Sequence, residues 1–244
     1  MTMGRSGFTI LYEDEELLFV DKPAGLLSIP DRFSDELPSL SQQLQRAYGE
    51  VWTVHRLDRD TSGVMCFALT AEAHRHLSLQ FSEHSPEKHY LALTEGRLPM
   101  EAGQLNYALA PDPRRPGAMR VQDRGKAAVT DFHVMELFQQ FTLVDVHLQT
   151  GRTHQIRVHF QAFGHPLVAD PLYGRREAFY LSAVKGKGYQ LGREKTERPL
   201  LTRTALHAAS LALLHPQTGE MIRAEAPLPK DMGAVVQQLR KWNS

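Results

Sequence analysis

Two periods alternate along this chain, one of two residues and one close to four, and their succession lays out its elements. Between Phe8 and Lys22 two short β-type runs, FTILY and LLFV, flank an acidic turn, which is hairpin grammar. Pro23 and Gly25 end that regularity. Leu37, Leu40, Leu44 and Tyr48 then recur at spacings of three and four, so an amphipathic helix is predicted over 38–48, stopped by Gly49. VMCFALT is predicted as a strand and AEAHRHLSLQFSEH as a helix, with Thr70 placed to cap it. HYLALT is again β-type, 111–126 is rich in Pro, Gly and Arg, and the alternating runs AVTDFHVMELF and FTLVDVHLQT read as a long hairpin. From Thr150 the period turns helical until Gly164 and Pro166, with Ile156, Phe160 and Phe163 on one side and His154, Arg157 and Gln161 on another. Residues 174–204 are polar and glycine-containing and are predicted as an insertion loop, after which ALHAASLALL is β-type and DMGAVVQQLRKW closes with an amphipathic helix. Strands outweigh helices, no repeat or long linker divides the chain, and the expected class is α+β with a largely antiparallel sheet.

Length and composition narrow the class further. The 244 residues, 42% of them hydrophobic, suffice for one large domain or two small lobes with a substantial core. There is no apolar run of membrane-spanning length, and MTMGRSGFTI lacks a secretory pattern, so a soluble, cytoplasmic protein is expected. The one cysteine, Cys66, excludes an internal disulfide framework and reads as a buried thiol. Lys plus Arg equals Asp plus Glu at 28 each, which by itself does not point to a polyanion. Local bunching counts for more, because charges beyond about 8 Å are largely screened at physiological salt. Arg114, Arg115, Arg120, Arg124 and Lys126 form one basic group, and Lys185, Lys187, Arg193, Lys195 and Arg198 a second. Each is either a solvated loop or a phosphate-contacting face.

The segment richest in chemistry is HRLDRDTSG at 55–63, where polar groups crowd together between two apolar runs. If it is extended, Arg56 and Asp58 point to one side and Leu57 to the other, where it anchors the backbone. Thr61, Ser62 and Gly63 suit a tight turn into the next strand. Arg56 and Arg59 favour an ionised Asp58, the form a carboxylate nucleophile requires. Spacing alone fits a surface turn with an Arg–Asp pair better than a catalytic loop.

HRLDRDTSG resembles the signature H-R-L-D-x-x-T-S-G of the RluA family of RNA pseudouridine synthases at every fixed position. In the same order, Lys88, Tyr90 and Ala92 resemble its K-x-Y-x-A element, and TGRTHQIRVH followed by GHPLVADPLYG resembles a third segment; KPAGLLSIP near the start resembles it too. The likeness spans residue 10 to about 225, and it is to the compact type without an N-terminal RNA-binding module. It implies a single catalytic domain over 1–244 with 174–204 inserted, and a mixed, mostly antiparallel bent sheet in two lobes with peripheral helices and a central cleft. Asp58 is implied as nucleophile, Tyr90 as the ring stacking on the target uracil, and Arg157 as the partner of the Asp58 carboxylate. Arg56 is implied to fill the space left by the flipped base, with Leu57 and Ile156 as supporting apolar contacts, and Arg152 and His154 join the substrate-binding set. The substrate implied is a uridine in structured RNA, tRNA or 23S ribosomal RNA or both. The chain is expected to act as a monomer without cofactor, because the isomerisation involves no redox change.

Competing readings are weaker. His154 and His159 lie five apart, not the four that puts two imidazoles on one helical face, so no metal site is expected. Two adjacent arginines compete poorly with magnesium at Asp58 and Asp60. An inactive RNA-binding or RNA-chaperone protein on the same fold would need none of Asp58, Tyr90 and Arg157. A tRNA-specific relative acting on another uridine is the nearer alternative, since the segment at 174–204 departs from the most compact type.

Overall fold

The computed structural model describes residues 7–31, 37–185, 189 and 196–243. In chain order the elements begin with β1 (Thr9–Glu13), β2 (Leu17–Lys22), α1 (Leu40–Tyr48), β3 (Trp52–Thr53), β4 (Ser62–Ala68), α2 (Ala71–Ser82) and β5 (Glu87–Glu95). There follow β6 (Ala102–Asn106), β7 (Leu109–Pro111), β8 (Met119–Val121), β9 (Val129–Leu137), β10 (Phe141–Leu148), α3 (Gln155–Ala162) and α4 (Ser182–Lys185). The chain ends with β11 (Leu206–Leu214), β12 (Met221–Glu225) and α5 (Lys230–Trp242). Two compact units emerge, Met1–Tyr90 with His207–Pro227 and Leu91–Leu206 with Leu228–Ser244.

In the first unit, β1 and β2 form the expected hairpin, and the Asp14 carboxylate closes its turn by accepting the Glu16 and Leu17 amides at 2.8 Å each. β4 runs antiparallel to β2 from Leu17↔Ala68 to Lys22↔Gly63, and every one of its residues is buried, which accounts for its near-unbroken apolar run. β11 joins the start of β4 in parallel through His207↔Ser62 and Ala208↔Gly63, and β12 pairs antiparallel to β11. The core gathers Leu17, Phe19, Val64, Cys66, Leu77 and Leu211. Both helices are capped as their sequences require. Ser39 and Gln42 form a reciprocal capping box on α1, and the Thr70 hydroxyl accepts the Ala73 amide at 3.1 Å on α2.

The second unit carries the long antiparallel hairpin β9–β10, with β6 on the outer edge of β9. α5 packs Met232, Val235, Val236 and Leu239 into a core with Leu93, Phe141, Val168, Phe179 and Leu201. The fold is α+β with mostly antiparallel pairing, as expected. β6, β7, β8 and β12 escape the sequence pattern because they are short or lie at sheet edges, with no more than one buried residue in each. Polarity also hides the packing of 174–204, where Phe179 and Leu201 are buried and bridge one another.

Two local expectations are corrected. The helix following Thr150 starts only at Gln155, because His154 sits in the left-handed region at φ 55° and the chain before it is irregular. Its residues Gln155 through Phe160 are all buried, so it has no exposed polar face there. The turn of HRLDRDTSG comes earlier than expected, closed by the Thr61 amide donating to the Asp58 carbonyl at 3.1 Å, and Ser62 and Gly63 already belong to β4. Gly63 is required by that strand: at φ 115°, a Cβ there would stand 2.1 Å from the Ala208 carbonyl oxygen of β11.

Candidate active site

The loop that presents Asp58 is fastened from behind by the segment KPAGLLS. Leu57 is 5% exposed and anchors the loop inward, as its alternation with Arg56 and Asp58 predicts. Its backbone is gripped at both ends by one hydroxyl, for Ser28 Oγ accepts the Leu57 amide at 3.1 Å and donates to the Leu57 carbonyl at 2.7 Å. Lys22, fully buried, donates to three carbonyls, those of Pro23, Leu26 and Arg59, at 2.8–3.0 Å. The Gly25 amide donates to the Arg59 carbonyl at 2.9 Å, and Arg59 Nε returns a bond to the Gly25 carbonyl at 3.2 Å. Two loops distant in sequence thus share a polar seam whose buried backbone groups are satisfied. Arg56 projects outward and is exposed.

The part of β5 that belongs to the first unit presents Lys88 and Tyr90 on its buried face by strand alternation. Burial pushes the Tyr90 phenol up, and the negative charge of Asp58 pushes it further. The two groups therefore interact electrostatically within one unit, and Tyr90 stays a neutral phenol. Burial lowers Lys88 as well. His55, which opens the signature, is structural. Its Nε2 accepts the Cys66 amide at 2.9 Å, its ring stacks on Phe81 at 4.6 Å, and burial together with the Lys88 ammonium lowers it to about 3. Cys66 is a buried thiol whose pKa burial raises, as its sequence context suggested.

Arg152, His154, Ile156 and Arg157 belong to the second unit. Arg157 makes a bidentate pair with Asp170, Nε to Oδ2 at 2.7 Å and Nη2 to Oδ1 at 2.9 Å, and the carboxylate also accepts the Leu172 and Tyr173 amides. Burial alone would push the Asp170 carboxyl up, but the guanidinium and the two amides overcome it and hold the group below the usual range. The Arg157 guanidinium also lies 5.0 Å over the Tyr173 ring. The Tyr173 oxygen accepts the Met119 amide at 2.7 Å and pairs with His154 Nδ1 at 2.8 Å, so His154 acts here as a strut. Arg152 Nε donates to the Ala127 carbonyl at 3.0 Å, and Ile156 is buried. Asp170, Tyr173, Ser28 and Lys22 carry these contacts yet have no periodic or spacing signal of their own; they fall inside GHPLVADPLYG and KPAGLLSIP, segments conspicuous only as wholes.

The basic groups divide on inspection. Arg115 is spent on Asp112 and the Leu172 carbonyl, and Arg120 on Gln122. Lys185 lies over the Trp242 ring at 4.6 Å. Lys187, Arg193 and Lys195 lie outside the described residues.

A family model described as RNA pseudouridylate synthase matches residues 16–162. The chain is 37% identical over 220 residues to the dual-specificity RNA pseudouridine synthase RluA of Escherichia coli, covering 89% of this chain and 92% of that protein. It is 39% identical over 241 residues to ribosomal large subunit pseudouridine synthase D of Nitrosomonas europaea, covering 95% of this chain and 65% of that one. Among solved structures it is similar to human RNA pseudouridylate synthase domain containing 1, with TM-score 0.69, 27% identity and 98% of each chain covered.

Proposed function

The chain belongs to the RNA pseudouridine synthase family, and from that premise we propose that it isomerises a uridine in structured RNA with Asp58 as its nucleophile. In that reaction the bond between N1 of uracil and C1′ of the ribose breaks and a bond between C5 and C1′ forms. C5 loses its proton, N1 gains one, and no electrons are exchanged, so a single carboxylate with a guanidinium and a phenol suffices without a cofactor. The observation that carries the reading is the fastening of the Asp58 loop by Ser28 and Lys22 beside a buried Tyr90 that responds to the Asp58 charge. A loop fixed on its inward side, with Arg56 and Asp58 outward, is a rigid platform for a base drawn out of its stack.

Tyr90 is assigned to stack on the uracil, Arg56 to occupy the vacated space in the RNA, and Arg157 to support the Asp58 carboxylate. Leu57 and Ile156 back the site, with Arg152 and His154 toward the RNA. We assign tRNA or 23S ribosomal RNA as the substrate class, a reading supported by one relative named for the large ribosomal subunit and another named for dual specificity toward RNA. We assign the activity to a monomeric chain in the cytoplasm; no helix among the described residues is long and apolar enough to cross a membrane.

The test maps pseudouridine in total RNA from cells with and without the gene, with wild-type or Asp58→Asn protein supplied back. Loss at one position, restored by the wild type alone, is expected. In vitro, Asp58→Asn is expected to lower turnover by about a thousandfold or more while RNA still binds. Substantial residual turnover sinks the nucleophile assignment, and no changed position with intact RNA binding favours a binding protein.

A further inference from the structure

We propose that a cavity of about 550 Å³ in the second unit, between β7, the Arg124–Lys126 turn and the Gly151–Thr153 loop, seats one RNA nucleotide and the phosphates on either side of it. The inference rests on the family reading above and assigns a second nucleotide to the substrate, apart from the uridine taken by Asp58. The cavity is of the size that takes a small organic group. Leu109, Pro111 and Met119 give it apolar surface for a base, and Arg124, Lys126 and Arg152 give it three cations; no carboxylate lines it. Three like charges around one space repel one another until an anion enters, and phosphodiesters are the anions this family handles.

The walls are pinned before anything binds. The Lys126 amide donates to the Leu109 carbonyl at 2.8 Å and the Leu109 amide to the Lys126 carbonyl at 2.9 Å, which ties the turn to β7. Gly125 makes that approach possible, since a Cβ on it would lie 2.6 Å from the Leu109 carbonyl group. Arg124 and Lys126 therefore stand on either side of a fixed point, exposed, their side chains without a hydrogen bond or ion pair among the described residues. Arg152 is oriented by its bond to the Ala127 carbonyl, and Met119 is held by the Tyr173 oxygen. Other arginines of the same stretch, Arg115 and Arg120, are committed to internal partners. Arg124, Lys126 and Arg152 are thus the cations that line this cavity and are placed for an external phosphate.

The experiment uses the full chain and a fluorescein-labelled RNA stem-loop with an unpaired uridine in its loop. Binding is measured from 50 to 300 mM salt for wild type, for Arg124→Ala with Lys126→Ala, and for Arg46→Ala with Lys230→Ala as a matched loss of two exposed charges. The cavity double variant is expected to raise Kd about tenfold or more and to flatten the slope of log K against log salt by about 1.4, the value for two single-stranded phosphate contacts. kcat/KM falls by the same factor, and the matched double variant changes none of these. An unchanged Kd and slope for the cavity variant overturns the inference while leaving the family reading intact. Displacement of the RNA by low-millimolar inorganic phosphate overturns it in favour of a small-anion site. RNA bound through Arg124 and Lys126 by a wild type that converts no uridine keeps the inference and overturns the functional reading.

Discussion

Asp58 takes its position less from its own contacts than from those of Leu57 beside it. One buried side chain, Ser28, satisfies both the amide and the carbonyl of Leu57, so the residue before the proposed nucleophile has no freedom to turn. Ser28→Ala leaves two buried backbone groups unpaired and is expected to cost about 1–3 kcal/mol of stability for each of them. Through the loosened loop it also slows single-turnover conversion at unchanged RNA affinity. Chemical denaturation and rapid-quench kinetics on one preparation check this; lost stability with undiminished turnover would make Ser28 a fold contact and no more. The signature at 55–63 made Asp58 legible in the sequence because it is contiguous. Ser28 was not, because a hydroxyl acting across 29 positions leaves no local pattern.

Among the elements, β4 and β11 depend on a single hydrogen atom in place of a side chain. Gly63 sits at φ 115° with no room for a Cβ against Ala208, and its neighbour Ser62 bonds His207 Nδ1 at 3.0 Å while His207 Nε2 bonds the Ala226 carbonyl. Gly63→Ala is expected to destabilise by about 4 kcal/mol or more, beyond the usual range for one substitution, because the clash is with backbone on a buried parallel pair. Thermal unfolding checks it, and a Tm within a few degrees of wild type would contradict the register. α3 shows the opposite dependence. Its hydrophobic period was readable, yet its start was not, since the left-handed His154 is held by Tyr173 from 19 residues away.

For the molecule as a whole, groups whose pKa values are lowered in the folded chain set successive acid limits. His55 is lowered to about 3, so the unfolded chain takes up a proton near pH 6.5 that the folded chain refuses; stability is full above that value and declines as pH falls toward 3. Asp170 and Asp231 are held below the ordinary carboxylate range by Arg157 and Arg203 against the opposing effect of burial, and their contributions are lost at lower pH still, below about 3.9. Between pH 6.5 and 4 the His55 share is about 1.4 kcal/mol per pH unit. His55→Gln, which still accepts the Cys66 amide but does not titrate, is expected to flatten that limb in denaturation curves. An unaltered limb would assign it to other groups.

The sequence by itself determined the periodic elements, the α+β class and the contiguous signature around Asp58, because each depends on spacings a chain carries within a few residues. Only the tertiary structure decided that Ser28 and Lys22 brace the Asp58 loop, that Asp170 holds Arg157, and that Arg124, Lys126 and Arg152 share a cavity while Arg115 and Arg120 do not. Those are hydrogen bonds and approaches between segments far apart in sequence, and residue type alone does not say which partner a buried polar group will meet.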